Sequence, residues 1–129
     1  MRRLVTTTIA AICLAAGAAA ADPIEGVWQT QPDDGSYAHV AIAPCGAAFC
    51  GTITNTFNAQ GEYASPNQGR QIVREMVPVG AGEYEGRVWR PSNDKVYMGK
   101  IRLDGNRMAL RGCIAGGLIC AKQDWVKIR

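Results

Sequence analysis

With 129 residues, 47% of them hydrophobic, and a formal net charge of +3, the chain has material for one small domain with its own core. Arg2 and Arg3 supply two of those charges, so the rest of the chain carries only +1, too little for a general attraction to nucleic acid or membranes. The sequence holds no repeat at the roughly 20–50-residue period of solenoids and no long low-complexity segment.

Residues 1–21 read as a targeting segment. Arg2 and Arg3 form a positive start, Leu4 to Ala16 an apolar stretch, and Ala19-Ala20-Ala21 a small-x-small cleavage site. The apolar stretch is shorter than the ~20 residues a membrane helix needs, so a signal peptide removed before Asp22 is expected, with no transmembrane segment. Cys13 sits inside this stretch and follows no small residue at a cleavage point, which argues against a lipoprotein. The mature domain then runs from Asp22 to Arg129 and is expected in the periplasm or outside the cell.

Ile24 to Thr30 reads as a first strand, followed by a polar turn at Gln31 to Gly35. Ser36 to Ala43 is a second, with Val40 and Ile42 on one face and Tyr37, His39 and Ala41 on the other. In a third, Phe49 to Phe57, alternation groups Phe49, Ile53 and Phe57 against Cys50, Thr52, Thr54 and Thr56. Asn58 to Gly69 is rich in Gly, Asn, Ser and Pro and reads as the longest loop, either a connector or a lid over a cavity mouth. Gln71 to Val79 and Glu83 to Arg90 are the fourth and fifth strands, and Pro91 to Asp94 turns the chain into three more.

Those three strands lie within Tyr97 to Trp125, around the hairpin signals Asp104-Gly105 and Gly116-Gly117. A turn centred on Asp104-Gly105 pairs Leu103 with Asn106, Ile101 with Met108 and Gly99 with Leu110. It also sets Arg102 opposite Arg107. One face then carries Tyr97, Ile101, Leu103, Met108 and Leu110, the other Lys100, Arg102, Arg107 and Arg111. A turn at Gly116-Gly117 brings Cys113 opposite Cys120, close enough for a disulfide. Beyond Trp125 the alternation would send Lys127 and Arg129 inward, so a bulge or a strand end is expected there.

Outside the leader the cysteines are Cys45, Cys50, Cys113 and Cys120, an even number in an exported chain, with three pairings open to them. The pairs Cys45–Cys50 and Cys113–Cys120 each flank a turn and are the expected bridges, contributing roughly 2–2.5 kcal/mol apiece on the chain-entropy estimate. A zinc site is the rival reading, but C-x4-C and C-x6-C do not match the usual ligand spacings. No metal and no cofactor are expected.

No window shows a helical period. Eight short strands joined almost wholly by hairpins predict an all-β fold, a single eight-stranded antiparallel up-and-down barrel with two local disulfides, a sandwich being the alternative. Its interior would hold Trp28, Val40, Ile42, Phe49, Ile53, Phe57, Tyr97, Ile101, Leu103, Met108, Leu110 and Trp125, with Gly51, Gly99 and Gly112 leaving room or easing strand coiling. Phe49, Ile53, Phe57, Tyr97, Ile101, Met108 and Leu110 are the candidate ligand wall.

Gly26-Val27-Trp28, Cys45 with Phe49-Cys50-Gly51, Lys95-Val96-Tyr97, and Arg111-Gly112-Cys113 through Leu118-Ile119-Cys120 to Gln123-Asp124-Trp125 resemble the bacterial exported domain-of-unknown-function 2147 family. The resemblance covers essentially the whole mature chain and implies a calycin-type barrel similar to lipocalins. It implies further that Trp28 closes the barrel floor with a basic residue of the last strand, Arg129, laid against it. Family members often carry Gly before the Lys-x-Tyr, where this chain has Asp94, so a different turn is expected. The family carries no established chemistry, so the resemblance supplies no catalytic residue.

Catalytic sets are thin. His39 is the one histidine, placed on an outer face, and Glu83 and Glu85 share a strand face as a solvated pair beside Arg87 more simply than as glycosidase carboxylates. No phosphate-binding or metal-protease motif occurs, and an enzyme is not expected. The basic face is the stronger signal: Lys100, Arg102, Arg107 and Arg111 form a candidate anion-binding strip for lipid head groups or an acidic partner, with Asp124 as the local counter-charge otherwise. The leading reading is an envelope barrel binding a small apolar or anionic ligand. The alternative is a protein-binding module of the envelope, such as a hydrolase or protease inhibitor.

Overall fold

The structure, a computed structural model, describes residues 3–7 and 21–129. The expected leader and Cys13 therefore lie almost wholly outside the described residues. Among the described residues nine strands form: β1 (Gly26–Gln29), β2 (Tyr37–Cys45), β3 (Ala48–Asn58), β4 (Gly61–Tyr63), β5 (Gln71–Gly80), β6 (Glu83–Arg90), β7 (Lys95–Asp104), β8 (Arg107–Ile114) and β9 (Ile119–Lys127). All but β4 close into an eight-stranded antiparallel barrel. Each strand pairs with the next, and β9 returns to β1 through Trp28–Lys127 and Gln29–Val126. Among the described residues no helix is long and apolar enough to cross a membrane.

Alternation fills the interior. Val40 and Ile42 from β2, Ile53 from β3, Ile101 from β7, Met108 and Leu110 from β8 and Trp125 from β9 are buried with Trp28, and Phe49, Tyr97 and Leu103 pack against them. The sequence reading placed all of these inside. It did not list Ile24, Ala38, Ile72, Val73, Met76, Tyr84, Val88 and Trp89, which are buried in the same cluster. The two cysteine pairs are bridged as Cys45–Cys50 and Cys113–Cys120, which removes the zinc reading for them.

Phe57 departs from expectation. His39 pairs with Asn55 and Val40 with Ile53, so Thr54 is an extra residue in β3 and forms a bulge. The bulge inverts the alternation beyond it. Thr56 turns inward and is buried, while Phe57 turns outward and stacks on Tyr37 with ring centroids 4.9 Å apart.

The β7–β8 turn is also displaced. Asp104 pairs with Arg107 and Leu103 with Met108, leaving Gly105 and Asn106 as the turn, with positive φ (58°) at Gly105 alone, as a type II′ turn requires. Moving the turn by one residue moves every pairing by two, so the faces survive while the partners change. Ile101 faces Leu110 and Gly99 faces Gly112. Arg102 therefore stands opposite Ala109, not Arg107, and the expected repulsion does not arise.

The loop expected over Asn58–Gly69 contains β4, which folds back on the end of β3. Asp94 adopts positive φ (55°), the conformation that a glycine at this place would take freely. Its carboxylate also accepts the Trp89 Nε1 hydrogen bond at 2.8 Å.

The β2–β3, β5–β6 and β7–β8 turns gather with the segment just before β1 and the end of β9 at one end of the barrel, and that end is closed. Trp28 is fully buried there, its Nε1 donating to the Ile24 carbonyl at 2.8 Å. β9 ends at Lys127 as the broken alternation suggested, and it is the Lys127 ammonium, not Arg129, that lies over the Trp28 ring, 5.6 Å from its centroid. Arg129 contributes its backbone carbonyl, which accepts from the Val27 N–H at 2.6 Å. The Tyr84 hydroxyl donates to Asp22, fastening the segment before β1. Burial, with that hydrogen bond second, pushes the Tyr84 pKa above its ordinary value.

One glycine is required by close approach. Glu75 bulges out of β5 with positive φ (51°), and a Cβ on Gly86 of β6 would stand 2.5 Å from its carbonyl oxygen. Only glycine admits that contact.

Candidate functional site

The other end of the barrel gathers the β1–β2 turn, the β3–β5 segment with β4, the β6–β7 turn and the β8–β9 hairpin. Between them lies a cavity of about 420 Å³. Its walls are Ala38, Ile53, Ile72, Val88, Tyr97, Leu110, Gly112 and Trp125, and its rim includes Asp33, Ser36, Tyr63, Ser65, Asn67, Arg90, Ser92 and Lys122. A volume of this size falls within the ordinary range of small-ligand pockets, about 300–1,000 Å³.

The polar residues reaching into the cavity are already engaged. Thr30 Oγ1 accepts from the Ala38 N–H at 2.9 Å, Thr56 Oγ1 donates to the Tyr63 carbonyl at 2.6 Å, and Gln123 Oε1 accepts from Trp125 Nε1 at 3.0 Å. Among the described residues no buried side-chain nitrogen or oxygen lacks a partner. The deep part of the cavity thus demands no hydrogen bond from an occupant, and methyl, ring and aliphatic surface face it. Polar capacity is confined to the rim.

Local sequence fixes that rim. Asp34 and Gly35 both take positive φ (55° and 77°), the type I′ signature, which holds Asp33 and Ser36 face to face. Asp33 then receives a two-pronged contact from Arg90 at the end of β6, Nε to Oδ2 and Nη2 to Oδ1, both at 2.8 Å, and Ser92 Oγ adds a third donor at 3.2 Å. This contact ties the β1–β2 turn to the β6–β7 turn across the mouth. Beside it Trp89 lies buried under the Arg70 guanidinium, 3.8 Å from its ring centroid.

The Arg90 hydrogen bonds hold the Asp33 carboxyl below its ordinary value. A carboxylate depressed in the folded state stabilises the fold above its unfolded pKa, about 3.9, and that contribution is lost as pH falls through the lower folded value. Asp33→Asn should therefore lower Tm near neutral pH, and the difference from wild type should shrink as pH falls below the unfolded value and through the lower folded one. A melting series across that range checks it; a constant difference would refute the assignment.

Of the candidate ligand wall, Ile53, Tyr97 and Leu110 line the cavity. Ile101 and Met108 are packed in the core below it, and Phe49 packs against that core, its ring edge-on to Tyr84 at 6.1 Å. Phe57 lies outside. The segment 58–69, expected as connector or lid, contributes Tyr63, Ser65 and Asn67 to the mouth. The sequence reading missed Thr30, Asp33, Thr56 and Arg90. The Asp34-Gly35 turn signal could have drawn attention to Asp33, whereas its pairing with Arg90 spans 57 residues and leaves no local trace.

The basic face divides. Arg102 faces Glu83 across β6 with its Nε 3.8 Å from the carboxylate, and Arg107 stands opposite Asp104, both near the closed end. Lys100 and Arg111 are cross-strand neighbours nearer the mouth. His39 approaches Gln29 Oε1 at 3.2 Å and tilts against Phe57 on the outer surface, and burial pushes its pKa down. Among the described residues no group of three His, Cys, Asp or Glu is placed to hold a metal ion.

Comparison with known proteins agrees with this architecture. Residues 26–127 match the family described as "Uncharacterized protein conserved in bacteria (DUF2147)". The barrel is similar to the solved structure titled "Protein HP1028 from the human pathogen Helicobacter pylori belongs to the lipocalin family", with a TM-score of 0.66 and 16% identity over 81% of this chain and 82% of that one. At that identity the likeness is one of fold. No curated protein matches.

Proposed function

We propose a function from one premise: the chain belongs to the DUF2147 family of uncharacterised bacterial proteins and folds as a lipocalin-type barrel, an architecture suited to holding a small ligand. The barrel binds a small molecule of the cell envelope whose apolar body occupies the cavity and whose polar or anionic end stays at the mouth. The observation that carries this reading is the division of the cavity itself, about 420 Å³ with satisfied, apolar walls and a polar rim.

The protein acts after export, its leader removed before Asp22. Two disulfides fit an oxidising compartment. The Asp22 backbone nitrogen also donates to Glu25 Oε2 at 2.6 Å, so cleavage at that bond would set a charged α-ammonium against a carboxylate.

Native mass spectrometry of protein purified from its own host should reveal a bound molecule that is released on denaturation. An apolar dye such as N-phenyl-1-naphthylamine should brighten on binding and be displaced by that molecule. Protein that carries no molecule and leaves the dye dark would overturn the reading.

A further inference from the structure

Two unfavourable surface features lie side by side at the open end of the barrel. The first is the tip of the β8–β9 hairpin, where Leu118 is 87% exposed, Ile119 61% and Ile114 53%. Within residues 22–129, Leu118 and Ile119 are the most exposed large hydrophobic side chains. The tip is braced, because the Cys113–Cys120 bridge forms the rung next to the Ile114–Ile119 pair. A protein that only needed to stay in solution would gain nothing from a rigid aliphatic tip.

The second is a row of cations on the outer face just below. Lys100 stands directly opposite Arg111, and Arg111 directly opposite Lys122. Like charges in facing positions destabilise a sheet. On its other side Lys100 stands directly opposite Glu85 of β6, and Lys122 pairs with Asp124 at 3.4 Å, yet among the described residues neither Lys100 nor Arg111 forms an ion pair. The two features are contiguous: a Cβ on Gly117 at the tip would stand 3.0 Å from the Lys100 ammonium.

We infer that the β8–β9 hairpin docks the mouth of the barrel on an anionic phospholipid surface, with Ile114, Leu118 and Ile119 entering the acyl boundary and Lys100, Arg111 and Lys122 lying on the phosphates. Charge complementarity selects this occupant. The composition of the tip selects it too: protein–protein hot spots favour Trp, Tyr and Arg inside about 800 Å² per partner, and this tip is a small, purely aliphatic projection. Aliphatic burial plus adjacent cations is the combination that holds a peripheral protein on an anionic bilayer. Lys122 also lines the cavity, so the docked barrel would open towards the lipid and an amphiphile could pass between bilayer and cavity without crossing water.

The purified protein should sediment with vesicles of phosphatidylglycerol and phosphatidylcholine, far less with phosphatidylcholine alone, and less as salt rises. Each cation removed should weaken partitioning about fivefold, so Lys100→Gln with Arg111→Gln should lower it at least tenfold while Tm stays level or rises. Leu118→Asp with Ile119→Asp should lower it at least tenfold as well. Both double variants should keep wild-type dye binding in solution, which separates docking from the cavity reading. Wild-type protein that ignores anionic vesicles, or variants that bind them as well as wild type, would overturn the inference and leave the tip to a protein partner.

Discussion

Trp28→Ala should be the most damaging single substitution in the barrel, costing about 3–5 kcal/mol, the range for removing a buried large aromatic. Trp28 is fully buried at the closed end, and three separate elements depend on it. Its Nε1 holds the Ile24 carbonyl of the segment before β1. Its backbone pairs with Val40 of β2 and Lys127 of β9, so it sits on the seam where the barrel closes. Its ring lies under the Lys127 ammonium, which also donates to the Pro23 carbonyl at 3.1 Å. In a domain this small such a loss corresponds to a fall in Tm of well over 10 °C. Lys127→Ala should cost less, about 1 kcal/mol, because it removes only the cation and its stem from the ring face. Thermal unfolding of the two variants checks the order; a Trp28→Ala change below about 2 °C would show that the seam is held elsewhere.

Gly112→Leu should abolish ligand binding and leave the fold intact. Gly112 lines the cavity, and a Cβ there would meet Tyr97 and Val88 at 3.4–3.6 Å, ordinary contact distances. Its φ lies outside the left-handed region, so a side chain adds no backbone strain. The leucine would extend into the space that a ligand body needs, whereas Gly112→Ala adds one methyl and should bind nearly as wild type. Dye affinity is expected to drop at least tenfold in the leucine variant with Tm changed by no more than a few degrees. Undiminished affinity would place the dye outside the cavity. The leucine variant should still sediment with anionic vesicles, since the docking tip is untouched.

Much of the barrel was legible because alternation in short strands is a local property. On β7 and β8 the faces were assigned correctly even though the turn was displaced by one residue. A period of two makes face assignment insensitive to a shift of two in pairing. Partner identity has no such protection, and so Arg102 and Arg107 were placed opposite each other when each faces a different neighbour. Phe57 went wrong for the complementary reason. The extra residue at Thr54 breaks the period itself, and nothing in a run of Thr, Asn and Thr shows that a bulge lies within it. The outer face of β6 held another surprise: Trp89 is buried, although alternation assigns it to the side away from Val88. Its cover is the Arg70 side chain from the segment before β5, a contact invisible along either strand.

The cavity was the least legible part. Three of the seven residues proposed for its wall line it, because the sequence could name inward positions but could not rank them by depth. Which inward residues pack solid and which surround open space depends on the taper of the barrel and on where Trp28 and Trp125 fall along it. Met108 and Ile101 meet the aromatic floor and fill it. Gly112 and Leu110, one turn of the alternation apart, stand above it and leave room.

By itself the amino-acid sequence determined the class of fold, the number of barrel strands and the two disulfide pairs. Each of these follows from signals within one strand or one hairpin: alternation, turn residues, and cysteines spaced to meet across a turn. Only the tertiary structure decided which end is sealed, where the empty space lies, and that Asp33 meets Arg90 across its mouth while cations and aliphatic side chains stand together beside it. Those outcomes are set by strands far apart in the chain whose relative height and curvature are fixed only when the barrel closes, and no local pattern encodes a distance between them.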